Sequence, residues 1–276
     1  MTATPPRLLT IAGSDSGGGA GLQADLKTFA AHGVYGFSVV TAVTAQNTRG
    51  VTAVHPVPVE VVTAQLDAVF DDIGADAVKL GMLGTVELVH GVAAGLRRHA
   101  RDLPIVLDPV MVAQSGDPLI DDAAVTALAE ELLPLATVVT PNLPEARRLT
   151  GLALAADASE GERFAAGQLI AAMADGGAVL IKAGHAAGDQ LVDCLVDADG
   201  DRHRFAHPRI DTTSSHGTGC TLASAIAARL GRGDALVDAV GGAIDYLQEA
   251  LRTAFPLGRG AGPVHHFHRL SRDATA

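Results

Sequence analysis

Short runs of aliphatic and β-branched residues alternate along the chain with segments whose apolar positions recur every three or four residues. Residues 8–12 read as a buried strand closed by a glycine cluster. Residues 20–32 place Leu22, Leu26 and Phe29 at helical spacing, and 38–43 return to a β-branched run. In 59–70, Val59, Val62, Leu66 and Val69 share one helical face. The same reading predicts strands at 77–80, 105–107, 137–139 and 178–181, with helices at 86–98 and 123–133 between them. Two alternating segments, 191–196 and 202–205, flank Asp-Ala-Asp-Gly and predict a hairpin. Helices over 219–230 and 235–254 complete the series. Residues 153–161 lack periodicity and read as a surface connection.

Strand followed by helix, repeated, predicts βαβ units and a mostly parallel sheet with helices on both faces. Nothing divides the chain, so one domain over 1–276 is expected, with frayed ends at 1–6 and 271–276. In such sheets ligands gather beyond the carboxyl ends of the strands. The candidate chemistry falls there: Gly13–Gly21, Thr44-Ala45-Gln46-Asn47, Gly81-Met82, Asp108-Pro109, Pro141-Asn142, Lys182 and Gly184.

Composition narrows the partners. With 20 Lys+Arg against 31 Asp+Glu the formal charge is −11, which repels phosphate backbones and argues against nucleic acid. No uncharged apolar run nears the roughly 18 residues of a membrane span. The first seven residues do not resemble a signal peptide. Two cysteines, Cys194 and Cys220, build no disulfide framework and suit a reducing cytoplasm. His265-His266-Phe267-His268 lacks acidic or cysteine partners nearby and reads as structural.

Two glycine loops stand out. Gly13-Ser-Asp-Ser-Gly-Gly-Gly-Ala-Gly21 runs from a strand into a helix, where backbone N–H groups suit an anion. A plain flexible turn is the alternative. His216-Gly-Thr-Gly-Cys220 opens the next-to-last helix. Gly217 and Gly219 let amides converge there, and the helix dipole adds positive potential. Such a cradle stabilises a transferred phosphoryl group. Cys220 lies in the first helical turn, where thiol pKa values fall, so a partly ionised base is expected. A small buried filler is its alternative reading.

Taken together, 9–27, 44–51, 79–83, 106–119, 140–146, 216–222 and 262–268 closely resemble the hydroxymethylpyrimidine/phosphomethylpyrimidine kinases of thiamine biosynthesis, within the ribokinase-like superfamily. The likeness spans nearly the whole chain in register. It implies a three-layer sandwich, a homodimer, and ATP with Mg²⁺ as cofactors. It implies phosphorylation of 4-amino-5-hydroxymethyl-2-methylpyrimidine to its monophosphate and then to the diphosphate. By the same resemblance Gln46 binds the pyrimidine, with Met82 and Val110 as pocket walls and Ala20 and Asp25 in the substrate region. Asp108 and Glu145 match the metal region. Asn142, Glu145, Lys182, Gly184 and Thr218 match the nucleotide and phosphate region. Gly217, Thr218, Gly219 and Cys220 match the catalytic turn, Cys220 as base.

Two departures stand beside the likeness. Lys182-Ala183-Gly184-His185 replaces a frequent Lys-Gly-Gly-His, and Thr212-Thr213-Ser214-Ser215-His216 replaces Thr-Lys-Asn-Thr-His. Neither change removes a group the mechanism requires, and the sequence leaves open what Ala183 does to nucleotide contacts and Ser214 to those contacts or to lid closure. A branch of pyridoxal kinases shares the Gly-Thr-Gly-Cys turn, so a pyridoxal or pyridoxine acceptor is the alternative. A non-catalytic pyrimidine-binding module is a second.

Overall fold

The computed structural model of the chain describes residues 4–112, 116, 119–184 and 188–269. Residues 1–3 and 271–276 of the expected frayed ends lie outside the described residues. So do His185 and, from the 106–119 motif, 113–115 and 117–118. Residue 6 is tied down: the Tyr35 N–H donates to the Pro6 carbonyl at 2.8 Å.

The parallel strands are β1 (Arg7–Asp15), β2 (Tyr35–Asn47), β4 (Ala77–Leu80), β5 (Ile105–Leu107), β6 (Val138–Val139) and β7 (Ala178–Ile181). Antiparallel strands β3 (Gly50–Pro56), β8 (Gln190–Val196) and β9 (Arg202–Pro208) finish the two edges. The order is β3-β2-β1-β4-β5-β6-β7-β8-β9. From β1 the chain winds first toward β2 and later back toward β4, so the carboxyl ends of β1 and β4 flank a switch point, where open sheets form crevices.

Helices cover both faces. Alternation along the short strands decides which side chain meets which layer. Leu9, Val78, Leu107, Val139 and Ile181 join the core beneath α2 (Val59–Asp72), α3 (Val86–His99), α4 (Asp122–Glu131), α5 (Leu143–Thr150) and α6 (Glu160–Met173). Leu8, Ala77, Val106, Val138 and Leu180 face α1 (Gly21–Ala31), α7 (Thr218–Gly231) and α8 (Leu236–Arg252). α7 carries small residues at Ala223, Ser224, Ala225, Ala227 and Ala228, all buried, which lets it lie close over the sheet centre.

Two expectations change. Residues 44–47 are not a loop after a strand: they lie within β2, which continues into a hairpin with β3. That strand escaped notice because it exposes both faces, leaving no alternation to read, and its turn is Thr48-Arg49. Residues 153–161 are a connection only up to Ser159. There a capping box, Ser159 with Glu162, starts the unforeseen α6. Among the described residues no helix is long and apolar enough to cross a membrane.

Candidate active site

One step beyond the apolar layer, the alternation that faces α7 brings polar residues into a row. Thr10 and Lys79 lie within β1 and β4, and Asp108, Thr140 and Lys182 directly follow β5, β6 and β7. They bond across the row. Lys182 Nζ donates to Asp108 Oδ1 at 2.8 Å and lies 3.9 Å from Glu145 Oε2. Thr140 Oγ1 donates to Asp108 Oδ1 at 3.2 Å. Burial alone would lower the Lys182 ammonium, but Asp108 and Glu145 outweigh it and keep the charge on.

Over this row comes the start of α7. Gly217 has φ +83°, and a Cβ there would fall onto the Gly19 carbonyl, so both conformation and space demand glycine. Gly219 is less confined: a Cβ would lie 3.4 Å from Lys182 Nζ and from Asp108 Oδ2, about ordinary contact distance. The first backbone bond within the turn is Thr221 N–H to Gly217 O at 2.9 Å. The amides of Gly219 and Cys220 therefore meet no backbone carbonyl among the described residues. They lie beside the Lys182 ammonium, where the sequence places a phosphate cradle.

The first glycine loop does something else. Its amides do not wait for an anion: Gly17 N, Gly19 N and Ala20 N donate to the Asp15 carboxylate at 2.7, 3.0 and 2.8 Å. His216 Nε2 meets the same carboxylate at 2.8 Å. Burial would raise the Asp15 carboxyl, but His216 and the amides of Ala20 and Gly17 outweigh it and hold it low. Asp15 is thus an internal anion that fastens the first loop to the second. The sequence shows an aspartate in a glycine loop; it does not show which way the side chain turns.

Cys220 is partly exposed and lines the cleft, but its thiol is not lowered as expected. Burial pushes it up to about 11, against the pull of Lys79, with Asp25 and Asp108 adding to the rise and the Gly21 amide opposing it. The helix terminus is outweighed by the loss of water, so at neutral pH the resting group is a thiol.

One cleft of about 510 Å³ joins these parts. Ala20, Gln46, Met82 and Val110 line one end. Asn142, Glu145, Lys182, Gly184 and residues 217–220 line the middle. Gln46 is pinned by Ser16, whose Oγ donates to its carbonyl and accepts its N–H, both at 2.8 Å. Thr44 Oγ1 reaches its side-chain oxygen at 3.1 Å. The end of the Met82 side chain rests over Gly13, where a Cβ would lie 2.7 Å from Met82 Cε. Asp193, His207 and Gln248 line the far end, linked His207 to Asp193 at 3.3 Å and to Gln248 at 3.0 Å. Sequence reasoning did not find this group, since β8, β9 and α8 meet only in the fold.

Asp25 is the expected substrate residue that the structure removes. It is fully buried and does not line the cleft. Its oxygens accept from Thr10 Oγ1 at 2.6 Å, Ser224 Oγ at 2.7 Å and Lys79 Nζ at 3.0 Å. Ser214 likewise is no nucleotide contact: it is buried, and its hydroxyl donates to the Phe255 carbonyl at 3.1 Å. The Ala183 methyl is buried too, and its N–H donates to Asp193 Oδ1 at 2.6 Å, away from the cradle.

The donor set was tested for a divalent cation. Among the described residues no three His, Cys, Asp or Glu side chains gather as a ligand cage. Asp108 is held by Lys182. Glu145 caps α5 through Asn142 N at 2.7 Å, and burial pushes its carboxyl up to about 7. Two acidic oxygens beside a phosphate cradle suit Mg²⁺, which binds through few carboxylates, water and phosphate oxygens.

The family model for phosphomethylpyrimidine kinase matches residues 15–265. A hydroxymethylpyrimidine/phosphomethylpyrimidine kinase of Rhizobium meliloti (strain 1021) is 55% identical over 268 residues, covering 96% of this chain and 98% of that one. Among solved structures, a Bacillus subtilis pyridoxal kinase in complex with ADP superposes with TM-score 0.88 at 35% identity, covering 97% of this chain and 99% of that one. A phosphomethylpyrimidine kinase of Clostridium difficile 630 gives TM-score 0.76 at 40% identity, covering 89% and 99%.

Proposed function

The chain belongs to the phosphomethylpyrimidine kinase family, and from that premise we propose how its cleft works as a thiamine-pathway kinase. It phosphorylates 4-amino-5-hydroxymethyl-2-methylpyrimidine to the monophosphate, then the monophosphate to the diphosphate, with ATP as donor. The observation that carries this is the single cleft, with an amide and lysine cradle at its centre and an amide-bearing apolar pocket at one end. Gln46 offers the donor and acceptor that an aminopyrimidine edge requires, and Met82 and Val110 enclose the ring. ATP enters from the Gly184 side, its γ-phosphate against the amides of Gly219 and Cys220, with Lys182 offsetting charge. Asn142, Thr218 and Gly217 border the phosphates. When bound, Mg²⁺ screens phosphate charge, and Asp108 and Glu145 would hold it, largely through water.

The two steps make different demands. An alcohol must lose a proton as its oxygen joins phosphorus, and Cys220, in its deprotonated form, takes that proton. A phosphate acceptor is already ionised and needs little help. The chain acts in the cytoplasm, and it acts as a homodimer, the latter supported by the exposed Val43 and Val54 on β2 and β3.

A second reading is favoured by one observation: solved pyridoxal kinases share the fold over nearly the whole chain. A coupled assay of ADP release with the hydroxymethylpyrimidine, its monophosphate and pyridoxal tests both. Turnover of both pyrimidines above pyridoxal supports the first reading. Turnover of pyridoxal alone sinks it, and no ADP from any acceptor leaves only a binding module.

A further inference from the structure

Lys79 has no task in the mechanism above, although it is a fully buried cation bordering the cleft. It stands in the polar row, within β4, at the switch point. Its ammonium bonds Asp25 Oδ2 at 3.0 Å, with both side chains removed from water. Asp25 also accepts from Thr10 and Ser224, so its charge is fixed in place. Ser224 is one helical turn below Cys220 on α7, which puts the thiol on the same helix face, one turn nearer the cleft. Gly81 leaves room for the ammonium, since a Cβ there would lie 2.9 Å from Nζ. An ammonium has three N–H donors, and Asp25 accounts for one.

A buried ion pair is a poor way to hold three elements together, because neutral side chains of similar shape serve as well. We propose that Lys79, clamped by Asp25, is a positioning residue for phosphoryl transfer: a fixed cation beneath Cys220 that lets its sulfur receive the acceptor's proton. The inference rests on the kinase reading above. In the step, the acceptor oxygen forms the new O–P bond and the bond from phosphorus to the ADP oxygen breaks. The alcohol's proton passes to the Cys220 thiolate, and the resulting thiol later yields it to water. Lys79 stays an ammonium throughout. The groups that act electrostatically or by hydrogen bond on the sulfur are Lys79 from β4, Asp25 and the Gly21 amide from α1, and Asp108 after β5, with Lys182 also in electrostatic reach. Lys79 is the one of these that most favours the thiolate.

The test is the pH dependence of Cys220 alkylation by iodoacetamide, read by mass spectrometry without substrate. The unmodified protein is compared with Lys79→Met and with Lys79→Met/Asp25→Asn, which removes both charges and nearly keeps the shapes. The expected result for Lys79→Met is alkylation at pH 9 slowed about tenfold or more, the equivalent of one pKa unit, and for the double variant, which also removes the opposing charge of Asp25, a smaller slowing. Turnover of the hydroxymethyl acceptor falls by a similar factor, and that of the phosphate acceptor by less than about threefold. An unchanged alkylation profile overturns the inference. So does a double variant that no longer folds, which assigns the pair to the architecture. If the unmodified protein releases no ADP with any acceptor, the kinase reading fails, while the thiol profile still decides the role of Lys79.

Discussion

At the scale of single residues, the chemistry is set by how much water each group loses. Cys220 and Glu145 show this in the same direction: burial disfavours the anion, so both hold their protons to higher pH. The sequence places both residues at the site, but their charge state comes from groups on other elements. The helix terminus at Cys220 was legible; the surrounding walls were not. Lys79 was visible as a lysine inside Ala-Val-Lys-Leu, an odd member of a buried strand, yet its partner Asp25 lies 54 positions away. Glu145 yields a signed prediction. Its carboxyl titrates near 7 in the fold, above its ordinary 4.5, so the folded protein loses stability as pH rises across that interval. Glu145→Gln removes the ionisation. The variant should melt like the unmodified protein at pH 5 and above it at pH 8. A gap that is equal at both pH values, or reversed, would refute the assignment.

At the scale of elements, what the sequence revealed depended on periodicity and caps. Strands β4, β5 and β7 fall on the expected residues because short apolar runs between polar turns have one reading. α6 was missed although Ser159-x-x-Glu162 announces its start, because its alanine-rich body shows no sharp stripe. The first glycine loop reads from the sequence as a turn for an anion or polar ligand or as a plain turn, since glycine permits a tight turn whether the anion inside is a ligand or Asp15. The two loops act as one device. His216 and Asp15 join them, and the Gly217 backbone rests against the Gly19 carbonyl. Gly217→Ala must both leave its left-handed conformation and push the loops apart. Loss of turnover by about a hundredfold or more is expected, in line with the loss of oriented oxyanion donors. A variant with normal turnover would show that the turn does not set the cradle.

At the scale of the whole molecule, the switch point between β1 and β4 explains why acceptor and phosphate sites share one cleft. β1 and β2 present the glycine loop and Gln46, while β4 to β7 present Met82, Asp108, Asn142 and Lys182. In the hairpin of β2 and β3 the outer strand, β3, is open on both faces, while β2 buries Ala42 and Thr44. An apolar edge of this kind is expected to be covered by a second copy. Sedimentation should give the mass of two chains, reduced to one by Val43→Lys with Val54→Lys. A single-chain mass for the unmodified protein would contradict the dimer.

All of these scales meet at the turn where α7 begins. The measurement that tests it most directly is turnover by Cys220→Ala of the hydroxymethyl acceptor and of the monophosphate, each alone, from pH 7 to pH 10. The base assignment predicts a loss of roughly a hundredfold or more in the first reaction and under about tenfold in the second, as expected when a proton acceptor is removed from one step only. It also predicts that the unmodified enzyme's first reaction quickens as pH climbs toward the thiol's value of about 11, while the second stays level. Equal losses in both reactions, with parallel pH profiles, would contradict it.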